Sequence, residues 1–141
     1  MELRPLGTLT IETDPDGLYM LGPTWVGQRI IQEFLSVRLD GERVRATMIA
    51  KAGADWLTLG GDGRATIDIR VLLQTDDGAQ IFVTLEGRAH WPDQLGQGPI
   101  FSTARLESGD ERYAWVNTLP LVSKGSVTAG RTVAHELFQL V

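Results

Sequence analysis

Two stretches of the chain place an acid and an arginine at alternate positions: Asp68 and Arg70 in Ile67-Asp68-Ile69-Arg70, and Glu86 and Arg88 in Leu85-Glu86-Gly87-Arg88. A carboxylate beside a guanidinium suits a defined chemistry. Arg70 or Arg88 can hold a substrate carboxylate with a two-pronged donor. Asp68 or Glu86, with its pKa raised by burial and a like-charged neighbour, can then act as general acid or base. His90 has the same parity as Glu86 and Arg88 and is a candidate for orienting a substrate or relaying its proton. Flat apolar surface comes from Trp25, Trp56, Trp91 and Trp115. Trp25, after Leu21-Gly22-Pro23-Thr24, and Trp91, in His90-Trp91-Pro92, fall in turns and suit contact with a ligand. Trp56 and Trp115 open strands and are expected in the core, where each buries a large area and must satisfy one N–H.

Other chemistries have little support. With no cysteine there is no thiol nucleophile, disulfide framework or Cys-ligated zinc. His90 and His135 lie far apart, and neither belongs to a His-x-x-x-His or Glu-x-x-His pattern, so no metal is expected. There is no Gly-x-Ser-x-Gly elbow for acyl transfer. Gly60-Gly61-Asp62-Gly63 fits neither a P-loop nor a dinucleotide fingerprint and reads as turn glycine, so no cofactor is expected either.

The elements that must position these residues are strands. From Ala65 to Thr75 one face carries Ala65, Ile67, Ile69, Val71, Leu73 and Thr75, and the other Thr66, Asp68, Arg70, Leu72 and Gln74. Ile81, Val83, Leu85, Gly87 and Ala89 then alternate with Phe82, Thr84, Glu86, Arg88 and His90. This period of two is that of antiparallel strands with one buried face. A three-residue turn Asp76-Asp77-Gly78 sets Asp68 opposite Glu86. A turn shifted by one residue would set Arg70 opposite Glu86 and Asp68 opposite Arg88. The first is preferred because it gives Gly78 the third turn position, which takes positive φ. In either register the acids, the arginines, Thr84 and His90 share one face. That face is either a solvated outer ladder, with the aliphatic face as core, or the lining of a cavity, with the aliphatic face packed on other strands or a second copy of the chain. The first is preferred, because polar strand faces usually meet water; Phe82 and Leu72 on that face speak for the second.

A second hairpin is expected to join Arg29–Leu39 to Glu42–Lys51 through a two-residue Asp40-Gly41 turn. Leu6–Thr13, Trp56–Leu59, Ile100–Leu106, Trp115–Val122 and Thr132–Leu140 complete a set of about nine strands, and Ser108–Tyr113 could form one helical turn. So many antiparallel strands in a chain of 141 residues avoid exposed edges most simply by closing. The expected fold is all-β: a closed antiparallel meander barrel of about eight to ten strands, lipocalin-like in outline, formed by residues 1–141 as one domain, with a two-sheet sandwich as the alternative. Sixteen glycines and six prolines fit this reading as turn punctuation. Thirteen basic against eighteen acidic residues, a net charge of −5, argue against a nucleic-acid backbone as partner. The opening Met1–Glu12 has neither the basic leader nor the apolar core of a signal peptide, and no apolar run reaches membrane-span length, so a soluble cytoplasmic protein without a membrane partner is expected.

Several segments, in order, carry a resemblance. Gly53-Ala54-Asp55-Trp56 is followed by Gly61-Asp62-Gly63, Ile67-Asp68-Ile69-Arg70, Leu73-Gln74-Thr75-Asp76-Asp77-Gly78-Ala79-Gln80-Ile81 and Arg112-Tyr113-Ala114-Trp115-Val116-Asn117. Together with Leu3-Arg4-Pro5-Leu6 and Leu21-Gly22-Pro23-Thr24, this set resembles the domain-of-unknown-function 3237 family over nearly the whole chain. The resemblance implies a closed β-barrel and small-molecule chemistry on aromatic or polyketide-like compounds. Asp55, Asp68, Arg70 and Asn117 match its recurrent polar positions, with Trp56 and Trp115 as neighbours. The chain departs from the family pattern at Phe34-Leu35-Ser36, where a Gly-Gly is usual, and in a short His90–Phe101 region. The reading that follows is a cofactor-independent lyase, decarboxylase or isomerase acting on a small apolar or aromatic carboxylate. Asp68, Arg70, Glu86 and Asn117 are its candidate catalytic residues. Asp55, Trp56, Arg88, His90, Trp115 and Trp25 are its substrate contacts. A non-catalytic carrier of an apolar ligand, and a homo-oligomeric partner-binding protein, are the other readings.

Overall fold

The computed structural model describes residues 1–141. Eight antiparallel strands follow one another round a closed barrel: β1 (Leu3–Thr24), β2 (Gly27–Asp40), β3 (Arg45–Leu59), β4 (Arg64–Thr75), β5 (Gln80–His90), β6 (Ile100–Glu107), β7 (Leu121–Ala129) and β8 (Thr132–Leu140). β8 returns to pair with β1, so no strand edge is left open. A 3₁₀ helix over Glu111–Thr118 links β6 to β7. The all-β closed barrel expected from the alternation is therefore the fold.

Closure also decides which face is inside. Ile67, Ile69, Val71 and Leu73 of β4, and Ile81, Val83 and Leu85 of β5, are buried in the core, while Arg70, Glu86, Arg88 and His90 are exposed on the outer wall. The acid–arginine face is thus the solvated ladder and does not line a cavity. The aliphatic face is the barrel interior, which removes it as a contact between copies. Phe82 and Leu72 meet Trp56 in a shallow outer groove instead of facing inward.

The β4–β5 register follows the preferred turn: Asp68 lies opposite Glu86, and Gly78 closes the loop at φ +93°. Several details differ. β1 runs from Leu3 to Thr24, past the expected Leu6–Thr13 and through Leu21-Gly22-Pro23-Thr24, because a bulge between Thr13 and Leu18 lets it go on pairing with β2. The strands number eight because Trp56–Leu59 continues β3 past a bulge. The β2–β3 connection is the four-residue loop Gly41–Val44, because Asp40 pairs with Arg45 and Val44 turns inward to be buried. Trp115 lies in the 3₁₀ helix, half-buried, with the Arg43 guanidinium 3.7 Å from its ring centre. Trp56 is on the outer wall and is 36% exposed, because the inward positions of its strand belong to Asp55 and Leu57.

The two ends of the barrel differ. At one end Leu9, Leu39, Leu73, Ile81 and Val83 fill the interior completely, and Val116 of the 3₁₀ helix is buried with them. At the other end lie the β1–β2, β3–β4, β5–β6 and β7–β8 connections. There the interior is only partly filled.

Candidate functional site

A cavity of about 250 Å³ occupies the open half of the barrel. Its walls are mainly aliphatic and aromatic, including Ile11, Ile30, Phe34, Leu57, Ile67 and Ile69. Its mouth is framed by Leu18 and Met20 of β1, Leu95 and Gly96 of the β5–β6 loop, and Val127, Gly130 and Arg131 of the β7–β8 hairpin. For scale, a dry apolar cavity of about 150 Å³ holds benzene. The space therefore suits a compound somewhat larger than benzene.

Five polar side chains project among these apolar ones: Thr13, Gln32, Asp55, Arg131 and His135. Asp55 comes from β3, where the β3–β4 ladder runs from Asp55–Ile69 to Thr58–Thr66 and skips the two residues between. In that gap Asp55 Oδ1 accepts the backbone N–H of Asp68 at 3.0 Å. Asp55 is enclosed by protein, and the surface it keeps opens into the cavity. Burial above all, with a smaller push from the nearby Asp68 charge and against the opposing pull of the Asp68 N–H, brings its carboxyl up to about 7. A group titrating there is divided between acid and base near neutral pH, the condition that suits general acid–base work.

His135 enters from β8 opposite Gly125 of β7, and its ring lies so close over that glycine that a Cβ there would collide with Nδ1. The residue is 1% exposed, and Nδ1 has no hydrogen-bond partner. Burial lowers its pKa to about 4, so the imidazole is neutral at pH 7. Gln32 lies beside Asp55 in the β2–β3 register. Its Nε2 donates to the carbonyls of Asp14 (2.8 Å), Glu33 (2.9 Å) and Gly17 (3.4 Å). These bonds pin the bulge of β1 between Thr13 and Leu18. Trp91, buried at the start of the β5–β6 loop, donates its indole N–H to Gly98 O at 3.2 Å and lines the cavity. Arg131, exposed at the mouth, is the one cationic side chain of the lining. No group of three or more His, Asp or Glu side chains is arranged to hold a metal ion.

Of the residues singled out from the sequence, Asp55 and Trp91 lie in this cavity. The others are placed elsewhere. Arg70 pairs with Asp68 on its own strand at 3.3 Å, and Glu86 lies 3.8 Å from Arg105, all on the outer wall. Arg88 and His90 border a separate outer groove, where His90 Nε2 is 3.2 Å from the Asp62 carbonyl. Trp25 sits 97% exposed in the β1–β2 turn at the open end. Asn117 lies at the closed end, where it accepts the Ser108 N–H at 2.8 Å and donates to the Ser108 carbonyl at 3.0 Å. These two bonds fasten the 3₁₀ helix to the end of β6. Inward-facing residues hold the cavity, and strand parity sends the acid–arginine ladder to the opposite side of the sheet. Gln32 and Arg131 are not among the sequence candidates, and His135 is weighed there only as a metal ligand, although the strands of Gln32 and His135 each carry a signal for their polar member. Gln32 shares the apolar parity of Ile30 and Phe34, and His135 that of Val133 and Leu137.

The family model described as Protein of unknown function (DUF3237) matches residues 1–140. The chain belongs to the DUF3237 family. Solved structures share the barrel that the family resemblance implied. A β-barrel-like protein from Acinetobacter baumannii AYE is 25% identical with a TM-score of 0.86, over 99% of this chain and 96% of that one. A protein of unknown function from Clostridium acetobutylicum ATCC 824 is 19% identical with a TM-score of 0.88, over 100% of both chains. An enzyme from Penicillium herquei is 21% identical with a TM-score of 0.70, over 97% of this chain and 93% of that one. No curated protein matches. No helix of the chain is long and apolar enough to cross a membrane.

Proposed function

We propose that the barrel binds a small, mainly apolar compound of aromatic size in its open half, and that Asp55 exchanges a proton with it. The observation that supports this reading is the Asp55 carboxyl set among apolar walls beneath an open mouth, where burial pushes its pKa up to about 7. A solitary buried carboxyl lowers the stability of the fold, and such groups are concentrated at functional sites. In its neutral form Asp55 can protonate the carbanion left by a decarboxylation, and as carboxylate it can remove a proton for an isomerisation. Both the lyase and the isomerase reading need this one group, and neither needs a cofactor. The similarity to the Penicillium herquei enzyme is consistent with catalysis on this scaffold. Arg131 is the place for an anionic substituent of the ligand, since a carboxylate held there stays in water while the apolar body enters.

The test uses p-cresol as probe, with ¹⁵N and carboxyl-detected NMR. Shifts on the Trp91 indole N–H and on Asp55, together with an Asp55 titration midpoint between pH 6 and 8, are the expected result. Shifts confined to the outer wall, or an Asp55 midpoint near 4, would remove the reading. A carrier is told apart by mass spectrometry of protein incubated with its bound compound. Recovery of that compound unchanged, with the same amount on the Asp55→Asn variant, is the carrier outcome.

A further inference from the structure

The cavity holds a second functional group that the reading above does not use. His135 is a neutral imidazole sealed into the wall, and one of its nitrogens, Nδ1, is buried over Gly125 with no acceptor within reach. An orphaned buried N–H is rarer and costlier than an orphaned acceptor. The favoured tautomer therefore leaves Nδ1 bare and puts the proton on Nε2. Nε2 has no protein partner either, and it is the ring nitrogen left to the cavity that His135 lines. The result is a neutral donor aimed into an apolar space.

Asp55 and His135 reach that space from different directions. In the closed strand order β2 and β1 stand between β3 and β8, so a molecule in the cavity meets the carboxyl and the imidazole on separate sides. Asp55 Oδ1 is occupied by the Asp68 N–H, which leaves Oδ2 to face a ligand. We propose that this pair abstracts a proton next to the carbonyl of a small uncharged ketone, with Asp55 Oδ2 taking the proton and His135 Nε2–H holding the developing enolate oxygen. The inference deepens the proton-exchange reading and rests on it. In the forward step the α C–H bond breaks, an O–H bond forms on Asp55, and the electron pair moves onto the carbonyl oxygen. In the reverse step the proton returns to the same carbon, or to a conjugated one in an isomerisation. No oxidant, reductant or metal is needed. A neutral imidazole suits the donor's task, because an imidazolium in the same pocket would form an ion pair with the Asp55 carboxylate and lower its basicity. The charged groups facing the pair are few. Asp68 stands behind Asp55 on β4, and Arg131 is at the mouth.

The experiment follows the exchange of acetophenone methyl protons for deuterium in D₂O by ¹H NMR, with ligand-observed NMR reporting binding in the same samples. Wild-type protein is expected to bind the ketone and to exchange it faster than buffer, with a rate that rises as Asp55 ionises. Asp55→Asn is expected to bind it and to lose about 100-fold or more of the rate. His135→Met, which removes the donor, should slow exchange by about tenfold or more, and His135→Gln, which restores an N–H, should recover part of that loss. Folding of each variant is checked by its ¹H–¹⁵N spectrum, and the His135→Gln arm serves if His135→Met fails to fold. Bound acetophenone that exchanges no faster than in buffer, or an Asp55→Asn variant that exchanges at the wild-type rate, overturns the proposal but leaves ligand binding standing. Failure of both acetophenone and p-cresol to bind overturns the cavity reading itself, and this inference with it.

Discussion

Replacing Asp55 by Asn should change how stability depends on pH, and the change can be worked out from two opposed groups. Asp55 has its carboxyl raised from 3.8 to about 7 by burial, so the folded state holds a proton that the unfolded chain releases in that interval. Stability then falls as pH rises from about 4 to about 7. At about 1.4 kcal/mol per pH unit the loss is about 4 kcal/mol, an upper figure because water in the open cavity screens the charge. His135 has the opposite sign. Its pKa is lowered from 6.5 to about 4, so stability falls as pH drops through that interval, by about 3 kcal/mol. Between pH 4 and 6.5 the two contributions nearly cancel. Asp55→Asn keeps the acceptor for the Asp68 N–H and removes only the titration. The variant should therefore gain stability on wild type steadily with pH, by about 3–4 kcal/mol between pH 4 and 8. Its own curve should climb with pH up to 6.5 as the His135 contribution is unmasked. Urea unfolding of both proteins at half-unit pH steps measures this, and the difference curve removes every group the two share. A difference constant within about 1 kcal/mol across that range would refute the reasoning.

Other expectations can be checked alongside. Asp68→Asn should lower the Asp55 titration midpoint, because the Asp68 charge helps to raise it; a carboxyl-detected NMR titration decides. Glu86→Gln and Arg88→Gln, on the outer wall, should leave p-cresol binding unchanged and shift stability by less than about 1 kcal/mol. Gly125→Ala should cost about 1–3 kcal/mol and displace the His135 ring signals, since the added methyl would occupy the place of Nδ1. Gly78→Ala should cost about 1 kcal/mol, because its φ of +93° suits a residue without Cβ. Arg131→Gln should weaken binding of 4-methylbenzoate but not of p-cresol, a contrast that titration calorimetry can resolve.

Much of the fold was legible in single strands. The alternation from Ala65 to Ala89 defined two faces, and Gly78 fixed the turn and hence the register that sets Asp68 against Glu86. Boundaries were harder where local signals conflicted with tertiary packing. Asp40-Gly41 has the chemistry of a two-residue turn, yet Val44 gains more by entering the core, and the loop widens to four residues. Trp115 looked like the start of a strand, but its segment caps the closed end as a 3₁₀ helix held by Asn117. The site was only partly legible. The acid–arginine ladder is conspicuous in the sequence because its charges are dense, and dense charge belongs on the wet side of a strand. Asp55, Gln32 and His135 are inconspicuous there because each is flanked on its own face by apolar residues or glycine.

By itself, then, the sequence determined that the chain forms antiparallel strands, each with one apolar and one polar face, and that its reactive side chains are carboxyl, imidazole, guanidinium and indole groups rather than thiols. Alternation is symmetric under exchange of the two faces, so it defines the faces but not which of them becomes concave. Closure of β8 onto β1 made that choice, because only the aliphatic face can fill a dry interior. The same closure brought Asp55 and His135, on strands distant in the chain, to one cavity. Their shifted pKa values come from that enclosure, and no local stretch of sequence contains it.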